Sequence, residues 1–212
     1  NKSKPFIKNP LKNLFTVFKE EKIKKLSLAF FIYFIAFTGL TNILIFFLQE
    51  SLNWTTKASS GTLVVVGIIA IIVQGGLIGP LVKQFGEMRL TLIGSGFILV
   101  ACALLITAPK ENATINIYSA VSFLAVGAGL ITPTLRALIS KKLDIDKQGS
   151  ILSNLQGLQS LGGVLGIAMA GRVYDSFGPK SPFIAGSVIL LFMIYLIAEG
   201  KNNNSFNNQK SK

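Results

Sequence analysis

The chain has 212 residues, half of them apolar and 14% charged, with a mean hydropathy of +0.58 and a net charge of +12. A soluble domain of this length needs far more polar surface, so the bilayer is the expected solvent. The absence of histidine and the single cysteine, Cys102, exclude an intrachain disulfide framework and the usual cysteine/histidine metal sites, and Cys102 reads as a small buried hydrophobe.

Residues 1–25 form a basic segment in which Leu11, Leu14, Phe15 and Phe18 recur at helical spacing, with Pro10 well placed at a helix start after Asn9. Two readings stand equal. The segment is an interfacial amphipathic helix with its lysines on anionic headgroups, or a solvated cytoplasmic linker that enforces topology. Asn1 stands where an initiator methionine would, and no signal-peptide pattern precedes the first apolar run, so a longer polypeptide is expected.

Six apolar runs follow, at about 26–48, 61–82, 90–108, 117–139, 151–173 and 183–198. Each approaches the roughly 20 residues that carry a helix across about 30 Å of hydrocarbon. Outer-membrane barrels show alternating segments of about ten residues instead, and none is seen. The polar stretch 200–212, rich in asparagine, reads as a disordered cytoplasmic tail.

The location of the positive charge argues for a membrane partner and against nucleic acid. With both termini cytoplasmic, that side holds 17 of the 21 lysines and arginines, including Lys83, Arg89 and Arg136. Lys57, Lys110, Arg172 and Lys180 fall on the other. This is the positive-inside asymmetry.

The stretches "GPLVKQFG", from Gly79 to Gly86, and "GRVYDSFG", from Gly171 to Gly178, match at a shift of 92 positions. The same shift pairs Gly94 with Gly186 and Ser95 with Ser187. The spacing suits a tight reversal between antiparallel helices, the first glycine for close backbone approach and the second for positive φ. Three crossings separate the copies, so the second is upside down. The expected fold is all-α integral membrane, with six transmembrane helices as two inverted three-helix repeats. Lys83 and Asp175 then stand on opposite sides of the bilayer, either as ordinary solvated charges or with Asp175 near the last helix start or paired with Arg172.

Spans three and six are almost pure hydrocarbon and are expected at the lipid periphery. The other four carry amides and hydroxyls, among them Asn42, Gln74, Asn154, Gln156, Gln159 and Ser160. A carboxamide in hydrocarbon costs several kcal/mol without a partner or water. These six residues are therefore expected to line a wet pathway, or else to bond between helices. In the fifth span Ser153, Gln156, Ser160 and Gly163 share a cavity-lining face, and Gln159, Gly162, Gly166 and Ala170 a neighbouring close-packing face. Pro133 should bend the fourth span, as a gate or a fixed kink. Arg136, one turn from the cytoplasmic boundary, is expected to snorkel to headgroups, with gating or anion binding as the alternative.

The corner "GPLVKQFGEMRL", the stretches "GLITPTLRALIS" and "QGSILSNLQGLQSLGGVLG", and the corner "GRVYDSFGPKSPF" together resemble the C-terminal six-helix half of a major facilitator superfamily transporter, most like the tetracycline-efflux-type proton antiporters. The resemblance runs from about Leu26 to Ala198. It implies half of a twelve-helix fold, a missing N-terminal six-helix half, a small-molecule substrate, and proton-coupled efflux by alternating access in a bacterial cytoplasmic membrane. In the family's corner motif Gly79, Leu81 and Gly86 match, while Lys83 replaces the acid. The outer copy keeps Gly171, Asp175, Gly178 and Lys180. No Asp or Glu lies inside these spans, and an antiporter's coupling carboxylate is expected elsewhere. No cofactor is implied. An enzyme is disfavoured, since hydrolysis or group transfer in a bilayer needs a histidine, carboxylate or metal near mid-membrane. A non-transporting scaffold or receptor, uptake in place of efflux, and assembly of two six-helix copies remain open.

Overall fold

A computed structural model describes residues 15–109 and 113–209, without the side chains from residue 200 onward. Among the described residues there is no strand. A 3₁₀ turn, Phe15–Phe18, precedes six long helices: α1 Lys24–Leu52, α2 Thr56–Phe85, α3 Glu87–Ile106, α4 Thr114–Ser140, α5 Ile145–Phe177 and α6 Ser181–Gln209. Five of them contain one predicted run whole and extend beyond it, while α3 starts before the run 90–108 and ends two residues short of it. Local chemistry sets the ends. Asn53, at φ 53°, ends α1 in the left-handed region, and Thr55 caps α2 by accepting from the Ala58 amide at 3.3 Å.

Five of the six helices are long and apolar enough to cross a membrane by composition as well as length. The sixth, α5, has 33 residues but carries too many polar side chains to qualify. Its mid-helix amides separate it from the others.

The helices pack as two related units. Along α1 lie α5 and α6; along α4 lie α2 and α3. Shifting by one repeat carries α1 to α4, α2 to α5 and α3 to α6, so each contact has its counterpart, as in inverted repeats about an axis in the membrane plane. The corners agree in detail. Gly86 has φ 76° and ψ 157°, and Gly178 has φ 92° and ψ 173°. Both occupy a region open essentially to glycine alone.

Glycines also set the closest approaches. A Cβ on Gly39 of α1 would stand 2.8 Å from the Gly166 carbonyl oxygen of α5, and one on Gly127 of α4 would stand 2.6 Å from that of Gly94 on α3. Gly162 packs against Phe31 and Phe34. The Gly162, Gly166, Ala170 face of α5 is thus the surface pressed on α1. Gly79 and Gly171, the first glycines of the two corners, differ from expectation: among the described residues, nothing beyond the local helix backbone lies within 4 Å of a Cβ built there.

The cover of the helices and the two ends of the chain complete the description. Within this chain α2 is covered less than α3 or α6, with 11% of its apolar window buried against 44% and 39%. A helix's own composition does not report how many neighbours its chain supplies. The stretch from 200 to 209 continues α6 as helix where a disordered tail was expected, with no proline between Lys201 and Gln209 to stop it; residues 210–212 lie outside the described residues. In the N-terminal segment, Leu11 and Leu14 lie outside the described residues; of the described part Val17 is buried while Phe15 is exposed. That part docks on α5 through Thr16 and Glu20.

Charges gather at the end of the bundle that carries the α2–α3 corner. There Lys141 bonds Glu87, Lys147 lies 2.7 Å from Glu20, Lys25 2.7 Å from Glu199, and Lys24 3.3 Å from Glu21. The hydrogen bond from Lys147, and then its charge, hold the Glu20 carboxyl below the usual glutamate range. The same contact raises Lys147. It is therefore intact between those two titrations, weakening in acid as Glu20 protonates and in strong base as Lys147 loses its proton. At the opposite end the Tyr174 hydroxyl donates to Glu50 Oε2 at 2.8 Å.

Candidate substrate pathway

Three predicted residues come together at one point. From α4, Arg136 reaches across to α5, where its Nη2 donates to Gln156 Oε1 at 2.6 Å and to Gln159 Oε1 at 2.5 Å. Its guanidinium carbon lies 5.9 Å from the centre of the Phe30 ring on α1. Two amide oxygens of α5 thus hold the Arg136 guanidinium. Its Nε is buried with no hydrogen-bond partner. Gln156 is exposed and Gln159 half-buried.

Above Phe30 a run of rings climbs α1. Phe30 and Phe34 centre 4.8 Å apart, Tyr33 and Phe34 4.9 Å, and Tyr33 stacks on Phe37 at 5.5 Å. One turn from Arg136 along α4, the Thr132 hydroxyl lies 3.3 Å from that of Tyr33. Phe30, Tyr33 and Phe34 are buried, so the rings of α1 pack beneath Arg136, and of these four only Phe37 is partly exposed.

The other predicted residues sit around this point without touching it. Gln74 is exposed on a π-helical turn, Val73–Leu77, inside α2. That turn meets α4 at Gly129, where a Cβ would stand 2.9 Å from Val73 and 3.9 Å from the Gln74 side chain. Asn42 is exposed and donates back to the Thr38 carbonyl at 2.9 Å. Thr38 in turn lies 3.6 Å from a Cβ placed on Gly163 of α5. The Ser160 hydroxyl donates to the Gln156 carbonyl at 3.2 Å. Asn154 is engaged elsewhere, donating to the Thr16 hydroxyl at 2.9 Å, so it anchors the N-terminal segment. Pro133 lies inside α4, which remains helical to Ser140. It deprives the Gly129 carbonyl of its helical donor at the level of the α2 π turn.

The family model of the Major Facilitator Superfamily matches residues 1–167. The chain belongs to this superfamily. It is 26% identical over 130 residues to the class C tetracycline resistance protein of Escherichia coli, covering 61% of this chain and 32% of that protein. Against human hippocampus abundant transcript-like protein 1 it is 22% identical, covering 90% of this chain and 41% of the other. Its fold matches the crystal structure of the human organic anion transporter MFSD10 (TETRAN) with a TM-score of 0.75 at 19% identity, covering 89% of this chain and 46% of that one. The chain spans between a third and a half of the length of these relatives. Superfamily membership agrees with an integral membrane protein that is not an enzyme.

The superfamily corner residues Lys83 and Arg89 are exposed. The acid that Lys83 displaces has a neighbour in Glu87, just after Gly86, which bonds Lys141 and ties the corner to the end of α4. Asp175 falls in the last turn of α5 and not at the start of α6, and it forms no ion pair with Arg172. Among the described residues no group of histidine, cysteine, Asp and Glu could hold a metal.

Sequence reading missed the π turn, the bond between Glu87 and Lys141, and the bonds from Arg136 to Gln156 and Gln159. The first left a signal: Gly75 and Gly76 precede Pro80, whose missing N–H would have bonded the Gly76 carbonyl, and helices relieve such a defect by a π turn, often near functional sites.

Proposed function

We propose that the chain is the C-terminal half of a secondary transporter that moves a small organic solute by alternating access, in the direction of efflux and coupled to protons. The carrying observation is the polar stripe of α5, whose exposed Ser153, Gln156 and Ser160 stand in a bundle of otherwise apolar helices. Amides held in hydrocarbon without full pairing belong beside a wet route. Asn42, Gln74 and Gln159 complete this half's wall of the route. Uncovered faces of α2, including Val64, Ile68, Ile71 and Ile72, suit packing against a second six-helix half. The basic end would be cytoplasmic, in a bacterial inner membrane, against anionic headgroups. The likeness to a tetracycline resistance protein suggests tetracycline-like solutes.

The test is flux. The complete protein, reconstituted in proteoliposomes, should accumulate tetracycline or amphipathic dyes of either charge when a proton gradient is imposed. Gln156→Ala should lower the rate about tenfold with protein level unchanged, the scale of one lost hydrogen bond to a bound solute. Gradient-independent leakage equal to empty vesicles would mean a scaffold or receptor.

A further inference from the structure

Arg136 is a cation without a counter-ion. Of the carboxylates at its end of the bundle, Glu20, Glu21, Glu87 and Glu199 each pair with a lysine, Asp144 and Asp146 form no ion pair, and no acid among the described residues pairs with the arginine. What holds it is neutral: Gln156, Gln159 and the face of Phe30. A guanidinium has donors only, so both glutamines must turn their Oε1 atoms toward it. Their Nε2 groups then point away from the arginine, and neither donates to any described residue. The cluster thus presents donors alone: two amide N–H₂ groups, the unpartnered Nε, and a full positive charge. A donor-only, positively charged cluster between two helices is complementary to an oxyanion, and its planar fork matches a carboxylate.

We propose that Arg136, Gln156 and Gln159 form the head-group site for an organic carboxylate, with its apolar body toward the partly exposed Phe37. This rests on the transporter reading and names the chemical class of its solute. The bound carboxylate supplies the missing charge, and the glutamines keep the guanidinium aimed across the cleft while it is absent. Arg136 binds the charge; Gln156 and Gln159 orient the arginine and donate to the same oxygens.

The test is binding, read apart from flux. Cys102 is buried and is the only cysteine of these 212 residues, so, with any cysteine of the remaining polypeptide replaced by serine, a thiol-reactive fluorophore reports unfolding in detergent. Benzoate, salicylate and hexanoate should raise the unfolding midpoint in a saturable way, while benzamide, salicylamide and hexanamide should not. Arg136→Gln should weaken carboxylate binding about ten- to hundredfold, the range for a charge-assisted hydrogen bond. Gln159→Glu, which supplies an internal carboxylate at the same position, should keep or raise the midpoint and abolish the response. The proposal falls if amides act as well as carboxylates, if no carboxylate acts, or if Gln159→Glu still responds. It also falls if only phosphatidylglycerol protects in an Arg136-dependent way, which would make this a lipid headgroup site. A carboxylate response without proteoliposome flux would overturn the transporter reading and leave the site. Flux indifferent to Arg136→Gln, with no carboxylate response, would overturn the site alone.

Discussion

Gly166→Leu should prevent this bundle from assembling, whereas Gly96→Leu should be tolerated. At Gly166 a Cβ would already meet the Ile35 carbonyl and the Gly39 amide, which are backbone atoms that cannot rotate aside. At Gly96 no atom lies within 4 Å of the same position. Overpacking costs about 1–3 kcal/mol where side chains can yield, and the cost here is at the upper end or beyond because α1 must move bodily. Since α1 and α5 make one of the closest contacts in the bundle, separating them exposes the aromatic rings beneath Arg136. The measurement is the unfolding midpoint in detergent, followed through exposure of Cys102, with Gly96→Leu indistinguishable from the parent.

The corner glycines give the second large effect. Gly86→Ala and Gly178→Ala should each cost about 1–3 kcal/mol, because a Cβ at these φ and ψ values strains the backbone whatever space surrounds it. Neither glycine has a neighbour within 4 Å of that Cβ, so the loss is conformational and not steric crowding. The corners lie at opposite ends of the bundle, so the double variant should show the sum of the single losses within about 0.5 kcal/mol. Equal single losses are what a repeated corner predicts. A negligible loss at one of them would mean that only the other turn has this geometry.

What the sequence made legible follows from what is additive along a chain. Hydropathy sums residue by residue, so six spans and their order could be read directly, and charge counts gave the two ends. The corner geometry was legible because glycine alone suits positive φ, and the sequence spelled it twice. The close-packing face of α5 was legible because small residues recur there at helical spacing. Properties that depend on a distant partner were not. Arg136 lies 20 residues from Gln156 along the chain, and nothing local decides whether its side chain turns to headgroups or across the cleft. Asn154 looked like Gln156 in sequence, yet two helical positions send it to Thr16 on another face. The sparse cover of α2 was hidden for the same reason, since exposure depends on what packs beside a helix and not on what it contains.

The central claim is that two three-helix units are related by inversion around a polar cleft. Single cysteines at Lys83→Cys and Asp175→Cys, labelled in intact cells and in inverted vesicles with a membrane-impermeant maleimide, test it most directly. Cys102 is buried and should stay silent. Position 175 should react only from outside and position 83 only from the cytoplasmic face. Reaction of both from the same compartment would contradict the inverted architecture and everything built on it.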